Sequence, residues 1–194
     1  MRTGLGWGVL TDPLPAITLL HGVEMKLMAA FDAGALADAY RRNRAYLAPW
    51  EPLREDSYFT AAGQEAVIAA KLTLCGAGTE VPWVLADGDR IIGTVTLTGI
   101  VRGPFLSANL GYWVDAGYAA RGIGTAAVAA VVETARERLG LHRIQAATLP
   151  QNAASQRVLE RQGFERIGLA PQYLKIAGQW QDHVLFQRIL QGPL

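Results

Sequence analysis

Gly122 and Gly124 stand two apart in ARGIGTAAV (residues 120–128), behind Arg121 and with no acidic residue nearby. Val128, Val131, Ala135 and Leu139 follow three or four apart, so the loop opens an amphipathic helix. Free backbone N–H groups and the positive end of a helix dipole then point at one place, an anion site most often used for phosphate. Glycine lets the anion approach the backbone. A triphosphatase loop is disfavoured, because no glycine-lysine pair occurs in the chain. Gly122, Gly124 and Ala127 fit the dinucleotide pattern G-x-G-x-x-A, but its context is wrong. Seven residues separate Val114 from Gly122, and twenty residues beyond Gly122 stands His142 with no carboxylate to bind a ribose. Asn152 and Ser155 open another helix, where they make an N-cap and a first-turn serine. His21, His142 and His183 are dispersed and do not form a metal site. Cys75 is the single cysteine, with no partner for an internal disulfide, and is expected to be a small buried hydrophobe at a helix end.

The elements that must position these residues are legible in outline. Residues 1–16 are rich in glycine and proline and read as a loosely attached arm. ITLLHGVEMKLMAA alternates like two short strands around His21 and Gly22. Asp32 is the candidate N-cap of a helix carrying Leu36 and Tyr40 on one face and Arg41, Arg42 and Arg44 on another, ended by Pro49. A second helix runs from Thr60, with Ala66, Ala69, Ala70 and Leu74 on one side, to Gly76 and Gly78. VPWVLAD, a DGD turn, RIIGTVTLTGIV and ANLGYWVD are strands, the first two an antiparallel hairpin. After the glycine-loop helix come the strand RIQAATL, a helix from Asn152 to Gln162, the strand ERIGLA and a last pair, YLKIAG and WQDHVLFQRIL. Strands first, then strand-helix-strand, then a closing hairpin predict an α+β domain.

Composition narrows the function classes. The chain has 194 residues, 51% apolar, with a net charge of +1 and no basic run. One domain with a sizeable core is the expectation, and neither a nucleic-acid partner nor a membrane surface is. No apolar run approaches the ~20 residues needed to cross a bilayer, and no signal peptide opens the chain; a cytoplasmic place is expected.

Two motifs together are more specific than either. AARGIG (119–124) resembles the coenzyme loop Q/R-x-x-G-x-G/A of the GNAT superfamily, the acetyl-coenzyme-A-dependent N-acetyltransferases, with Ala119 at the usual glutamine or arginine; shifted by two, Arg121-x-x-Gly124-x-Ala126 matches fully. NAASQRVLERQGF (152–164) is similar to that family's second signature, N-x-x-S and then G-F. NRAYLAPW (43–50), LGYWV (110–114) and YLKIAGQWQDHVLF (173–186) resemble the RimJ/RimL type, the ribosomal-protein N-terminal alanine acetyltransferases. The likeness runs from about Ile17 to Leu190.

The resemblance implies a GNAT fold over residues 17–194: a mixed, mostly antiparallel sheet flanked by helices and splayed between the family's fourth and fifth strands, here LGYWV and RIQAATL. It implies acetyl-coenzyme A as cosubstrate, no metal, and coenzyme contacts from Arg121, Gly122, Ile123, Gly124 and Thr125 at the pyrophosphate. Trp113, Val114 and Asn152 would hold the pantetheine arm, and Ser155 would act as donor to the leaving thiolate. Tyr112 and Trp113 are pocket or core aromatics. The substrate end would be lined by Asn43, Arg44, Trp50 and Trp180. A homodimer is common in such enzymes.

Acetyl transfer needs a neutral amine. At pH 7 about a tenth of an α-amine of pKa near 8 is neutral, against about four in ten thousand for a lysine amine, so an α-amine needs less help from a base. Candidate bases are Glu51, Asp115, Glu165, Asp182 and His183; strand alternation sends Asp182 and His183 to opposite faces, and Asp182 is the favoured water-mediated base. The expected function is N-acetylation of a protein's N-terminal α-amine. The alternatives are acetylation of a small amine (amino acid, polyamine or antibiotic) and a non-catalytic acyl-coenzyme-A-binding module.

Overall fold

The computed structural model describes residues 14–190. Most of the expected arm (1–16) lies outside the described residues; Leu14, the first described, is buried in the core. Ile17–Thr18 (β1) and Glu24–Leu27 (β2) pair antiparallel around a turn in which His21 has φ 59° and Gly22 φ 74°. The first long helix, Ala33–Leu47 (α1), buries Leu36 and Tyr40. Asp32 precedes it, yet its carboxylate accepts the Ala29 N–H and pairs with Lys26 rather than capping the helix.

Ala61–Gly76 (α2) is capped by Thr60, whose hydroxyl accepts the Gly63 N–H at 3.0 Å. Its buried residues are Gln64 and Ile68, while Ala66, Ala69, Ala70 and Leu74 face solvent. An alanine-rich helix has little contrast between its faces, so its one large buried apolar side chain, Ile68, sets the orientation; truncating such a residue to alanine costs about 2–5 kcal/mol. Cys75, near the end of α2, is half-buried rather than enclosed. Burial, followed by the nearby Glu80 carboxylate, raises its thiol pKa, which disfavours the reactive thiolate.

The remaining elements are Val81–Asp87 (β3), Arg90–Val101 (β4), Ser107–Val114 (β5), Ile123–Glu137 (α3), Arg143–Thr148 (β6), Ala153–Arg161 (α4), Glu165–Ile176 (β7) and Gln179–Ile189 (β8). ERIGLA and YLKIAG are one strand, not two. Around Pro171 and Gln172 (φ 47°) β7 slips register against β8, a bulge that sequence pattern reads as a break.

The eight strands form one sheet in the order β1-β2-β3-β4-β5-β6-β8-β7, antiparallel throughout except for β5 beside β6. Alternation along β3 sends Trp83 and Leu85 into the larger core, shared with Val128 and Val131 of α3, and Val84 into the smaller one under α1 and α2. Covered on both faces, β3 reads as an unbroken apolar run.

Candidate active site

A cleft opens where the sheet divides. β5 and β6 pair only from Ser107–Asn109 to Arg143–Gln145. Beyond that, β5 stays with β4 as far as Val114, and β6 stays with β8 as far as Thr148. The facing edges of residues 110–114 and 146–148 therefore have no strand partner among the described residues. Unpaired main-chain groups inside a protein call for an extended ligand or water. Leu110, Tyr112, Trp113, Ala147, Asn152, Ser155 and His183 are among the residues lining the cleft, as are Trp50 and Glu51.

The glycine loop closes the end of β5. Ala120 (φ 60°) and Gly122 (φ 80°) both take the left-handed conformation, and Gly122 is the N-cap of α3. The first helical bond runs from the Ala126 N–H to the Gly122 carbonyl. Among the described residues, the N–H groups of Gly122, Ile123, Gly124 and Thr125 have no protein acceptor. The register with Gly122 and Gly124 as the two small positions is thus the one with free donors; in the shifted register Ala126 is already spent. A Cβ on Gly124 would meet Val114 at only 3.6 Å, ordinary contact, so no protein atom there demands glycine. Arg121 is exposed and stacks 5.1 Å from the Tyr118 ring centroid. This loop suits an anion.

At the start of α4, Asn152 Oδ1 accepts the Ser155 N–H at 3.0 Å, so Asn152 caps its helix while lining the cleft. Ser155 Oγ lies 2.9 Å from the Tyr112 phenol, whose oxygen is also 3.3 Å from the Ser155 carbonyl. Burial pushes the Tyr112 pKa up to about 12, against the lowering effect of its bond with Ser155. Trp113, next along β5, turns to the opposite face and donates its indole N–H to Tyr40 at 3.2 Å.

The acidic candidates separate clearly. Glu51 lines this cleft and a second one bounded by Tyr40, Arg44, Leu53, Arg54 and Phe59. The clefts are of similar size, about 240 and 210 Å³, and share Leu47 and Glu51 in their linings, so the carboxylate borders both. Burial raises the Glu51 pKa above the usual carboxylate range, and Arg54 only partly offsets it. His183 is buried in the first cleft; its Nδ1 lies 3.0 Å from the Gln181 carbonyl, which can only accept, so Nδ1 is the donor.

Asp182 does not reach the cleft. It is exposed on the other face of β8, and its Oδ1 accepts the Gln172 N–H at 2.9 Å, holding the β7 bulge. Glu165 is exposed at the start of β7. Asp115 is buried but faces a different set of partners: the Gly117 N–H at 2.8 Å, Asn43 at 2.9 Å, Arg90 at 3.4 Å and Arg42 at 3.6 Å. Burial raises its pKa, but the hydrogen bonds from Asn43, Gly117 and Arg90 outweigh that and hold the carboxyl below its usual range.

Of the expected substrate residues, Trp50 lines the first cleft and Arg44 the second. Asn43 reaches neither. It is buried, donating to the Ala39 carbonyl and Asp115 and accepting the Ala116 N–H, and so ties α1 to the segment that leads into the glycine loop. Trp180 is 62% exposed on the β7–β8 hairpin and lines neither cleft. Sequence reasoning passed over the Tyr112–Ser155 contact; the available signal was strand alternation, which must put Tyr112 and Trp113 on opposite faces. Among the described residues no group of three histidine, cysteine, aspartate or glutamate side chains can hold a metal, and no helix is long and apolar enough to cross a membrane.

Comparison with known proteins agrees with this geometry. Residues 24–165 match the family model described as acetyltransferase (GNAT) domain. The chain is 36% identical over 163 residues to the [ribosomal protein uS5]-alanine N-acetyltransferase of Escherichia coli (strain K12), covering 83% of this chain and 84% of that protein. It is 39% identical over 143 residues to the probable N-acetyltransferase YjcK of Bacillus subtilis (strain 168), covering 73% and 79%. Among solved structures, the ribosomal-protein-S5-alanine acetyltransferase from Vibrio fischeri superposes with a TM-score of 0.86 at 35% identity, over 90% of this chain and 96% of that one. Mycobacterium smegmatis RimJ in complex with CoA-disulfide superposes at 0.83 with 28% identity, over 92% and 86%. With a divided sheet, a free-donor glycine loop and these relatives in agreement, the chain belongs to the GNAT acetyltransferase family and is an acyltransferase enzyme.

Proposed function

We propose that this enzyme moves the acetyl group of acetyl-coenzyme A to the N-terminal α-amine of a protein, such as a ribosomal protein, by direct attack of the amine on the thioester. The observation that carries the reading is the character of the second cleft. It is open, and its lining holds two guanidinium groups, Arg44 and Arg54, against one carboxylate, Glu51. Arg44 is paired with Asp56 at 2.7 Å, while Arg54 lies 4.5 Å from the Tyr58 ring centroid. A polyamine or other polycation meets too little negative charge there, whereas a chain end brings a single amine to Glu51 and can continue outward. The relatives named for acting on ribosomal-protein alanine support the same reading. Such a substrate implies a cytoplasmic enzyme.

Each group then has a task. The N–H groups of Gly122, Ile123, Gly124 and Thr125, with Arg121, hold the pyrophosphate of the coenzyme. The open edge of β5 at Trp113 and Val114, together with Asn152, holds the pantetheine arm. Glu51 takes a proton from the attacking amine, and the raised pKa that burial gives it makes it a better acceptor near neutral pH. As the new C–N bond forms and the C–S bond breaks, the electron pair goes to sulfur, and Ser155 donates a hydrogen bond to it.

Mass spectrometry tests the reading. Short peptides beginning with alanine, serine or methionine, some with an internal lysine, are incubated with acetyl-coenzyme A and the enzyme. One added acetyl group on the first residue, absent from N-terminally blocked peptides, is the expected result. Acetylation of small amines but of no peptide would replace the proposed acceptor.

A further inference from the structure

The contact between Tyr112 and Ser155 is left over once the coenzyme and acceptor contacts are assigned. A serine hydroxyl carries one proton and rotates freely, so its value as a donor depends on which way that proton is turned. Here Ser155 Oγ has the Tyr112 oxygen 2.9 Å away, and both residues line the cleft. Two arrangements are open. In one, the serine donates to the phenol and the phenol donates to the Ser155 carbonyl at 3.3 Å, which leaves no serine proton for the cleft. In the other, the phenol donates to Oγ, which has one proton of its own, and that proton must then point elsewhere.

We propose that Tyr112 is a positioning residue, whose phenol donates to Ser155 Oγ and thereby turns the serine proton toward the leaving sulfur. The inference rests on the acetyltransferase reading above and adds a residue to it. Negative charge developing on sulfur selects the second arrangement, because each hydrogen bond in the row phenol, serine, sulfur polarises the next. The row passes a hydrogen bond and no proton. Burial keeps the phenol protonated, with its pKa near 12, whereas an ordinary thiol ionises near 8.5, so handing the phenol's proton to the thiolate is uphill by about three orders of magnitude. Charge and atoms balance without it: the amine's proton goes to Glu51, and the coenzyme leaves with the electron pair of the broken C–S bond. Strand alternation is what makes Tyr112 available, since Trp113 beside it is committed to Tyr40 across the sheet.

The test is a double-mutant cycle of Tyr112→Phe and Ser155→Ala, with kcat and KM measured for acetyl-coenzyme A and an acceptor peptide with a free N-terminal amine. Tyr112→Phe is expected to lower kcat about tenfold with KM for acetyl-coenzyme A changed less than about twofold. In the Ser155→Ala background the same change is expected to cost nothing, because no serine proton remains to be turned. An equal loss in both backgrounds, a wild-type kcat, or a loss confined to KM overturns the proposal. Site-specific 3,5-difluorotyrosine at position 112 keeps the hydroxyl and the packing while lowering the phenol's pKa. It is expected to move the alkaline loss of kcat to lower pH; an unmoved alkaline limb overturns the proposal even where Tyr112→Phe is unstable. Wild-type enzyme that acetylates no peptide and no amine defeats the acetyltransferase reading itself, a failure distinct from an additive cycle in an active enzyme.

Discussion

A carboxylate placed where water is scarce holds its proton longer, and that property separates Glu51 from the other acids. It borders both clefts, and its backbone carbonyl accepts the Ala177 N–H at 2.9 Å, which fastens its segment to the β7–β8 turn. Leu53 packs over the same turn, close enough that a Cβ on Gly178 would come within 2.9 Å of it. Glu51→Gln is expected to lower kcat by about ten- to a hundredfold and to remove the acidic limb that Glu51 contributes to the pH–rate profile. Stability should move the other way. A carboxyl whose folded pKa is raised favours the fold below its unfolded pKa, near 4.3, and loses that contribution as pH rises through the folded value. The glutamine variant should therefore melt slightly higher than wild type at pH 7, which thermal unfolding checks; a lower melting temperature with lower kcat would mean that Glu51 is structural.

At the level of elements, the cleft depends on where β5 lies against β4. Gly93 of β4 faces Val114 of β5, and a Cβ there would sit 2.3 Å from the Trp113 carbonyl oxygen and 3.2 Å from Val114 Cα. Both are main-chain atoms, so nothing can swing aside. Gly93→Ala must push β5 away from β4 at the residues proposed to pair with the pantetheine arm. The expected outcome is a weaker Kd for acetyl-coenzyme A, by about tenfold or more, with a fall in unfolding free energy of about 1–3 kcal/mol. Calorimetric titration and urea unfolding read the two effects. Coenzyme binding unchanged in a destabilised variant would separate the strand edge from the coenzyme site.

The whole molecule is held in register around the loop by Asp115. Its carboxylate joins Arg42 and Asn43 of α1, Arg90 of β4 and the Gly117 N–H in the turn before α3. Exposed ion pairs contribute little, but this carboxylate is buried and accepts hydrogen bonds, so removing its charge leaves donors without their acceptor. Asp115→Asn is expected to cost about 2 kcal/mol at pH 7. Because the folded pKa is depressed, the wild-type contribution is fully present above the unfolded pKa near 3.9 and is lost as pH falls through the folded value. Urea unfolding across pH 7 to 3 should show the two proteins converging in stability at the acidic end. A constant gap would place the role of Asp115 in its shape and not in its charge.

The amino-acid sequence by itself determined the local pieces whose causes are local. The helix after Gly122 follows from an apolar stripe at Val128, Val131 and Ala135, all buried, and the β3–β4 hairpin from Asp87-Gly88-Asp89 with Gly88 at φ 57°. The glycine loop and the cap at Asn152 were legible because a helix start needs particular residues at particular spacings. Tertiary structure alone decided what depends on distant partners. Which face of α2 is buried, that β7 continues through Pro171, and that Asp182 caps a bulge while Glu51 meets the cleft are settled by neighbours far away in sequence. Asn43 shows the reason most plainly. Its contacts with Asp115 and Ala116 span more than seventy residues, and no local periodicity records whether a polar side chain on a helix turns to a substrate or to another strand's end.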